Sequence, residues 1–390
     1  MNQTHTRRFR IAVAVGVAVA TAIAPIGAPP ARAAQVAASQ LLGFTIGADG
    51  RLYSASPGGS SGGSGPVSGT VIAPPGAAVS AARQPDGNVA TFVIGNQGGL
   101  VAGSTSSAGS GFRIFLDGSA GLAPPGGQVS SISTQDSVHV FFVGYDGAIY
   151  STSYLQRVQP GAGPRRVSAV GIAPPGAVVA ATRQSYLPGA VFVGVDGAVH
   201  SVWRGGTGAW STFPVSPAGV APPGGGVATA STTSPHAFFT GQDGRLWRVG
   251  LSAVPHPEPW EPVAISGVGA APAGARLAAA QFTDGRLAVF FAAADGAIRV
   301  ATNLAGGWTE PAVASQPGIA RPGGAISLTV VDDYVYVAWC GNNIWWWFFW
   351  WWRRPIPPPP GPPPWYGEVF SFPTTNPVRA GFNVSTTLYW

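Results

Sequence analysis

The residues in this chain whose types and spacing could do chemistry are tryptophans set beside arginines. Trp203, Arg204 and Trp210 form one such group; Trp247, Arg248 and Trp260 form a second, and Arg299 and Trp308 a third. An indole offers a flat apolar face to the C–H face of a sugar ring, and a guanidinium donates hydrogen bonds to the oxygens around it. The chemistry these groups suggest is recognition, with no bond made or broken.

Residues suited to catalysis are not assembled in the same way. The five histidines, His5, His139, His200, His236 and His256, stand in unlike contexts and lack metal-ligand spacing. His139 and His200 fall in strand-like runs and read as packing residues. No Gly-x-Ser-x-Gly elbow in a strand-to-helix setting and no phosphate-binding loop occur. Most acids are the Asp of an Asp-Gly turn, and the glutamates are Glu258, Glu261, Glu310 and Glu368. A carboxylate pair for glycoside hydrolysis stays open as an alternative, because folding brings distant residues together. Against it, the Ser-x-Asp-x-Gly-x-x-Trp box of sialidases is absent. The expectation is a protein with no enzymatic activity, no metal and no cofactor.

The elements that must position these residues are repeats. Gly-x-Asp-Gly recurs at Gly47, Gly144, Gly194 and Gly241, with degenerate copies beginning at Gly95, Ala293 and Cys340. Ala-Pro-Pro-Gly keeps the same step at Ala73, Ala123, Ala173 and Ala221, and continues in altered form at Ala271 and Ala320. The step is about fifty residues, and each unit holds four short apolar runs separated by turn residues. In one unit these runs lie near residues 176–182, 189–194, 198–203 and 210–215. Nothing sustains a period of 3.6. The expectation is an all-β, seven-bladed β-propeller of four-stranded antiparallel blades. Residues 383–389 resemble the first strand of an eighth unit, and are expected to close the ring by completing the first blade.

The units also set competing readings for the tryptophans. Trp210, Trp260 and Trp308 open fourth strands, where an indole either meets a ligand or fills space between blades. Trp203 and Trp247, each next to an arginine, point to a ligand. The first three units lack these tryptophans, so any sites are unequal around the ring.

Composition limits the remaining classes. All 21 basic residues are arginine. Arg7, Arg8 and Arg10 precede an apolar run from Ile11 to Ala24, and Ala31-Arg32-Ala33 fits a small-x-small cleavage site. Residues 1–33 therefore read as a secretion signal, by the general route or, given Arg7-Arg8, the twin-arginine route. The mature domain would be 34–390, with a net charge of about +2. That small charge argues against a nucleic-acid partner, and the longest basic runs outside the leader are the pairs Arg165-Arg166 and Arg353-Arg354. Sparse charge fits strands that bury one face and carry Ser, Thr and Gly on the other. Cys340 is the only cysteine, which rules out an intrachain disulfide and reads as a buried, inert thiol.

Eight consecutive aromatics, Trp345 to Trp352, break the repeat, followed by Arg353-Arg354 and a proline tract. Residues 345–364 read as an insert in the hairpin between the third and fourth strands of the last blade. Three readings stand for it: a loop that contacts a membrane interface, a platform for a partner or polysaccharide, and low-complexity drift.

Val140–Tyr150 (Val-Phe-Phe-Val-Gly-Tyr-Asp-Gly-Ala-Ile-Tyr) and the Trp-x-x-Pro of Trp308–Pro311 resemble bacterial seven-bladed propeller lectins, nearest the fucose-binding, Photorhabdus-lectin-like group. The resemblance spans about residues 34–390 and rests mainly on fold motifs. It implies shallow sugar sites built from Trp, Tyr and Arg without a metal. The chain departs from the pattern by lacking Trp in its first three units and by its Trp/Pro tract. The reading that results is a secreted, monomeric, lectin-like protein whose partners are glycans or a cell-surface polysaccharide. A protein-binding scaffold is the alternative, and a glycoside hydrolase or lyase a third.

Overall fold

The structure is a computed structural model. It describes residues 41–55, 65–105, 112–117, 119–155, 163–230, 234–254, 260–282, 285–304, 307–331, 334–340, 345–351, 369–372 and 385–388. The expected secretion signal lies outside the described residues, as do the proline tract and Trp352.

Among the described residues the strands form seven antiparallel sheets, numbered here in chain order. Sheet one holds Leu41–Ile46, Leu52–Ala55 and Gly65–Pro66, with Ser385–Leu388 on its edge. Sheet two holds Val79–Arg83, Val89–Ile94, Leu100–Thr105 and Phe112–Asp117. Sheet three holds Val129–Ser133, Ser137–Val143, Ile149–Leu155 and Arg165–Arg166, and sheet four Val179–Gln184, Leu187–Val193, Val199–Arg204 and Trp210–Pro214. Sheet five holds Val227–Ala230, His236–Thr240, Leu246–Gly250 and Val263–Ala264. Sheet six holds Leu277–Gln281, Leu287–Ala292 and Ile298–Leu304, whose edge carries both Gly307–Trp308 and Ala312–Val313. Sheet seven holds Ile326–Val331, Tyr334–Cys340, Trp345–Trp351 and Val369–Phe372. An all-β chain of four-stranded antiparallel sheets is the organisation of a β-propeller.

The two repeated phrases have a shared cause. The glycine ending each Asp-Gly turn has a positive φ, as at Gly197 (72°) and Gly244 (73°), where a Cβ would be strained. The Asp accepts from the amide two residues on, as Asp196 does from Ala198 at 3.0 Å. The first Gly of the phrase lies under a side chain from the third strand: Gly47 under Tyr53, Gly144 under Tyr150, Gly194 under His200 and Gly241 under Trp247. The serine five residues before the Ala-Pro-Pro-Gly alanine takes the amide that opens the third strand. Val199 donates to Ser216 Oγ at 2.8 Å, Leu246 to Ser266 at 2.9 Å and Ile298 to Ser315 at 2.7 Å.

The core is a series of layers between sheets. One layer joins Phe92 and Leu100 of sheet two to Val140 and Phe142 of sheet three. Another joins Phe141 and Ile149 of sheet three to Val179 and Phe192 of sheet four. Sheets four and five, five and six, and six and seven are joined in the same way. The second strand of a sheet is therefore covered on both sides, and Val89–Ile94, Ser137–Val143 and Leu287–Ala292 are buried along their whole length. This corrects the expectation of strands with one buried face, and explains why they read as unbroken apolar runs.

The first strands of the sheets lie side by side. Those of sheets two and three, three and four, four and five, five and six, and six and seven neighbour one another, and Ser385–Leu388 neighbours the first strands of sheets seven and two. Hydroxyls link them: Ser80 to Ser131 at 2.8 Å, and Thr229 to the Ala181 carbonyl at 2.7 Å. They border a space of about 250 Å³, whose one charged lining residue is Arg276.

Trp345–Trp351 is the third strand of sheet seven. It pairs with Tyr334–Cys340 in the register Cys340↔Trp345 to Tyr334↔Trp351, and with Val369–Phe372 on its other side. The described part of the aromatic run is thus ladder strand, which corrects its placement in a loop insert. The extra residues fall between 352 and 368, outside the described residues.

Candidate functional site

Third strands run away from the Asp-Gly turn, so their far ends meet the hairpin that leads to the fourth strand. From that end, along the fourth-strand edge of sheet three toward its Asp-Gly turn, runs a cleft of about 400 Å³ between sheets three and four. Sheet three contributes His139, Ser151, Thr152, Ser153, Arg165 and Arg166; sheet four contributes Arg204, Gly208 and Trp210. Arg165 and Arg166 pair with Ser151 and Tyr150 in the ladder, and Trp210 pairs with Arg204.

Trp210 is half-buried, and its ring meets Phe141 of sheet three edge-on at 5.8 Å between centroids. It is a wedge between sheets that also lines the cleft. The three arginines are exposed. Arg166 reaches the Asp146 carboxylate at 3.9 Å, and Asp146 also accepts from the Tyr150 phenol at 3.1 Å. Arg165 and Arg204 have no carboxylate partner among the described residues. His139 is buried, with Nε2 2.9 Å from Ser137 Oγ. Burial first, and then the positive charge of Arg204, lower its pKa to about 4, so the ring is neutral near pH 7.

Aligning third strands by their ladder partners divides the other anticipated residues. His200, Trp247 and Arg299 occupy one register position, four residues after the turn Asp, and Trp203 lies three residues beyond it. Trp203 is 0% exposed and packs against Gly189 of the neighbouring strand. It is a core residue, which corrects the expectation that it meets ligand. Trp247 is half-buried over Gly241, and Arg299 donates to Asp295 at 2.9 Å, so both finish the Asp-Gly end of their sheets. Arg248 is half-buried at mid-strand opposite Val263, and its charge adds to burial in lowering the His236 pKa.

Trp308 pairs with Asn303 at the register position of Trp210 and meets Phe238 of sheet five edge-on at 5.6 Å. It is the same wedge one pair of sheets along, with Asn303 where sheet four has Arg204. Trp260 packs against Gly250, the counterpart of Trp203. The anticipated constellation is therefore split between two ends of the sheets; only Arg204 and Trp210 come together in the cleft.

Arg165, Arg166 and the serines of the third strand escaped the sequence reading as site residues. The arginine pair was visible as a basic run, but its neighbours across the cleft belong to the next unit. Chemically the cleft offers guanidinium and hydroxyl groups beside an indole, a set able to donate hydrogen bonds and to stack. The nearest turn carboxylates stabilise backbone, as Asp146 does by accepting from Ala148 at 3.0 Å. Among the described residues no group of three or more His, Cys, Asp or Glu could hold a metal ion.

No family model and no curated protein matches the chain. Solved structures do. The BP39L lectin from Burkholderia pseudomallei matches with a TM-score of 0.72 and 24% identity, over 80% of this chain and 92% of that one. AofleA from Arthrobotrys oligospora matches with a TM-score of 0.55 and 14% identity, over 80% of this chain and 89% of that one. The SapL1 lectin, solved with alpha methyl fucoside, matches with a TM-score of 0.53 and 14% identity, over 79% of this chain and 98% of that one. At such identities the likeness is one of fold.

Proposed function

We propose that this protein is a secreted, non-catalytic lectin of the fucose-binding propeller type, a monomer whose residues 34–390 close into seven blades. The observation that carries the reading is the cleft between sheets three and four, where Trp210 lies beside Arg165, Arg166 and Arg204. An indole face with charged donors around it suits a saccharide. The pairing of Ser385–Leu388 with Leu41–Ile46 and the succession of neighbouring first strands support the closed seven-bladed ring. The fold likeness to lectins, one of them solved with a fucoside, supports the ligand class. The pair of sheets five and six shares the wedge tryptophan, Trp308, without the arginines, so a further site there would be weaker and would act through multivalent contact with a polymer.

A glycan array with the secreted protein, run beside a Trp210→Ala variant, tests this reading. Binding to a saccharide class that the variant loses supports it. A blank array from folded protein overturns it and directs the search to protein partners.

A further inference from the structure

The arginines of the cleft are not demanded by the fold. Ladder register aligns Arg165 and Arg166 with Phe115 and Leu116 in sheet two, Phe213 and Pro214 in sheet four, Val263 and Ala264 in sheet five, and Ala312 and Val313 in sheet six. Four other sheets complete the same edge without charge. The position of Arg204 is filled by Tyr154, Leu251 and Asn303 in sheets three, five and six. Charge has been placed where the sheet does not need it, from two neighbouring sheets into one cleft.

One carboxylate besides Asp146 acts on the cleft's lining, that of Asp136, which raises the His139 pKa against burial and Arg204. Among the described residues, 152–155, 163–164 and 204–210 beside the cleft contain no Asp or Glu. The nearby carboxylate of Asp146 is engaged by Arg166 and the Tyr150 phenol. Arginine has five N–H donors and no acceptor. A neutral sugar needs acceptors for its hydroxyl protons as well as donors, whereas a carboxylate or sulfate only accepts and fits the planar guanidinium fork.

Resting on the glycan-binding reading above, and departing from its fucose type at this one cleft, we infer that this cleft selects an acidic saccharide, with its carboxylate or sulfate on Arg165 and Arg204 and its ring against Trp210. The preference is for sugar acids over the neutral hexose of the same stereochemistry.

Calorimetry with trigalacturonate and with neutral galactotriose tests it on the whole protein. The expected result is roughly ten-fold tighter binding of the acid, as for loss or gain of one charged hydrogen-bond set. That preference should shrink when salt rises from about 0.02 M to about 0.5 M, and should vanish in an Arg165→Gln, Arg204→Gln variant. Equal affinity for the two saccharides overturns the inference and leaves the glycan reading standing. A preference that survives in the variant overturns the assignment to this cleft. Sodium sulfate competing as well as trigalacturonate makes the ligand a simple anion and overturns the saccharide part. Binding of neither saccharide, nor of any glycan on the array, overturns both readings.

Discussion

The Ala221 amide donates to the Gly197 carbonyl at 3.0 Å, tying the start of Ala-Pro-Pro-Gly to the end of an Asp-Gly turn. The same bond joins Ala123 to Gly98, Ala173 to Gly147, Ala271 to Gly244 and Ala320 to Gly296, each at 2.9–3.0 Å. The glycine of Ala-Pro-Pro-Gly adds a second link, as Gly224 donates to the Val193 carbonyl at 3.2 Å. Two phrases twenty-odd residues apart in sequence are one piece of structure, and that is why they keep the same step.

A Cβ at Gly197 would lie 2.7 Å from the Ala221 carbonyl oxygen, at a φ of 72°. Gly197→Ala is expected to destabilise the protein by about 1–3 kcal/mol. Gly206, with open space around its Cβ position and no positive φ, is the control, and Gly206→Ala should be near neutral. Urea unfolding of the two variants makes the comparison; equal stabilities would remove the role given to this turn.

Trp203 and Trp210 separate packing from binding. Trp203→Ala should cost about 3–5 kcal/mol of stability, because the whole indole is buried. Trp210→Ala, at a half-buried wedge, should cost less and yet lose saccharide binding. Folded Trp203→Ala protein that has lost binding while Trp210→Ala retains it would reverse the assignment.

The Tyr154 phenol donates to the Asp117 carboxylate, joining sheet three to sheet two in a buried setting. Burial and the Asp117 carboxylate both raise the Tyr154 pKa, so it stays a donor at any ordinary pH. Tyr154→Phe keeps the stacking on Phe92, at 5.6 Å between centroids, and removes only the hydroxyl. The expected loss is about 1–3 kcal/mol, read as a lower urea midpoint.

Stability should fall as pH drops from the ordinary histidine range toward 4. The unfolded His139 takes up its proton near 6.5, while the folded one resists to about 4. Between those values the unfolded state binds more protons, so acid favours unfolding. His236 is lowered in the same direction, by burial and Arg248. Asp196 and Asp295, held below the usual carboxylate range, weaken the fold only at still lower pH. His139→Gln should flatten the difference in urea midpoint between about pH 5 and pH 7; an unchanged difference would exclude His139 as its source.

Much of the fold was legible because its turns write themselves locally. Asp-Gly and Ala-Pro-Pro-Gly impose backbone geometry within a few residues, and the four runs expected in residues 176–215 match the strands of sheet four to within a few positions. Sheet seven was misread where its turn lacks Asp-Gly, since nothing then marks where the third strand begins. The tryptophans illustrate a second limit. Trp203 and Trp247 look alike beside their arginines, but they stand seven and four residues after the turn Asp, and in a strand that difference in parity changes the face. Counting from the turn could have separated them. The cleft itself could not be read, because Arg165 and Arg204 come from different units and meet only when two sheets stack.

Sheet one takes its last strand from residues more than three hundred positions away, with Leu388 opposite Leu41. During synthesis the edge of Leu41–Ile46 therefore stays open until residues 385–388 have left the ribosome. Until then it is a bare strand edge that a neighbouring nascent chain can pair with. Removal of residues 385–388 would leave the molecule in that same state, so a variant lacking them should be prone to strand exchange between copies.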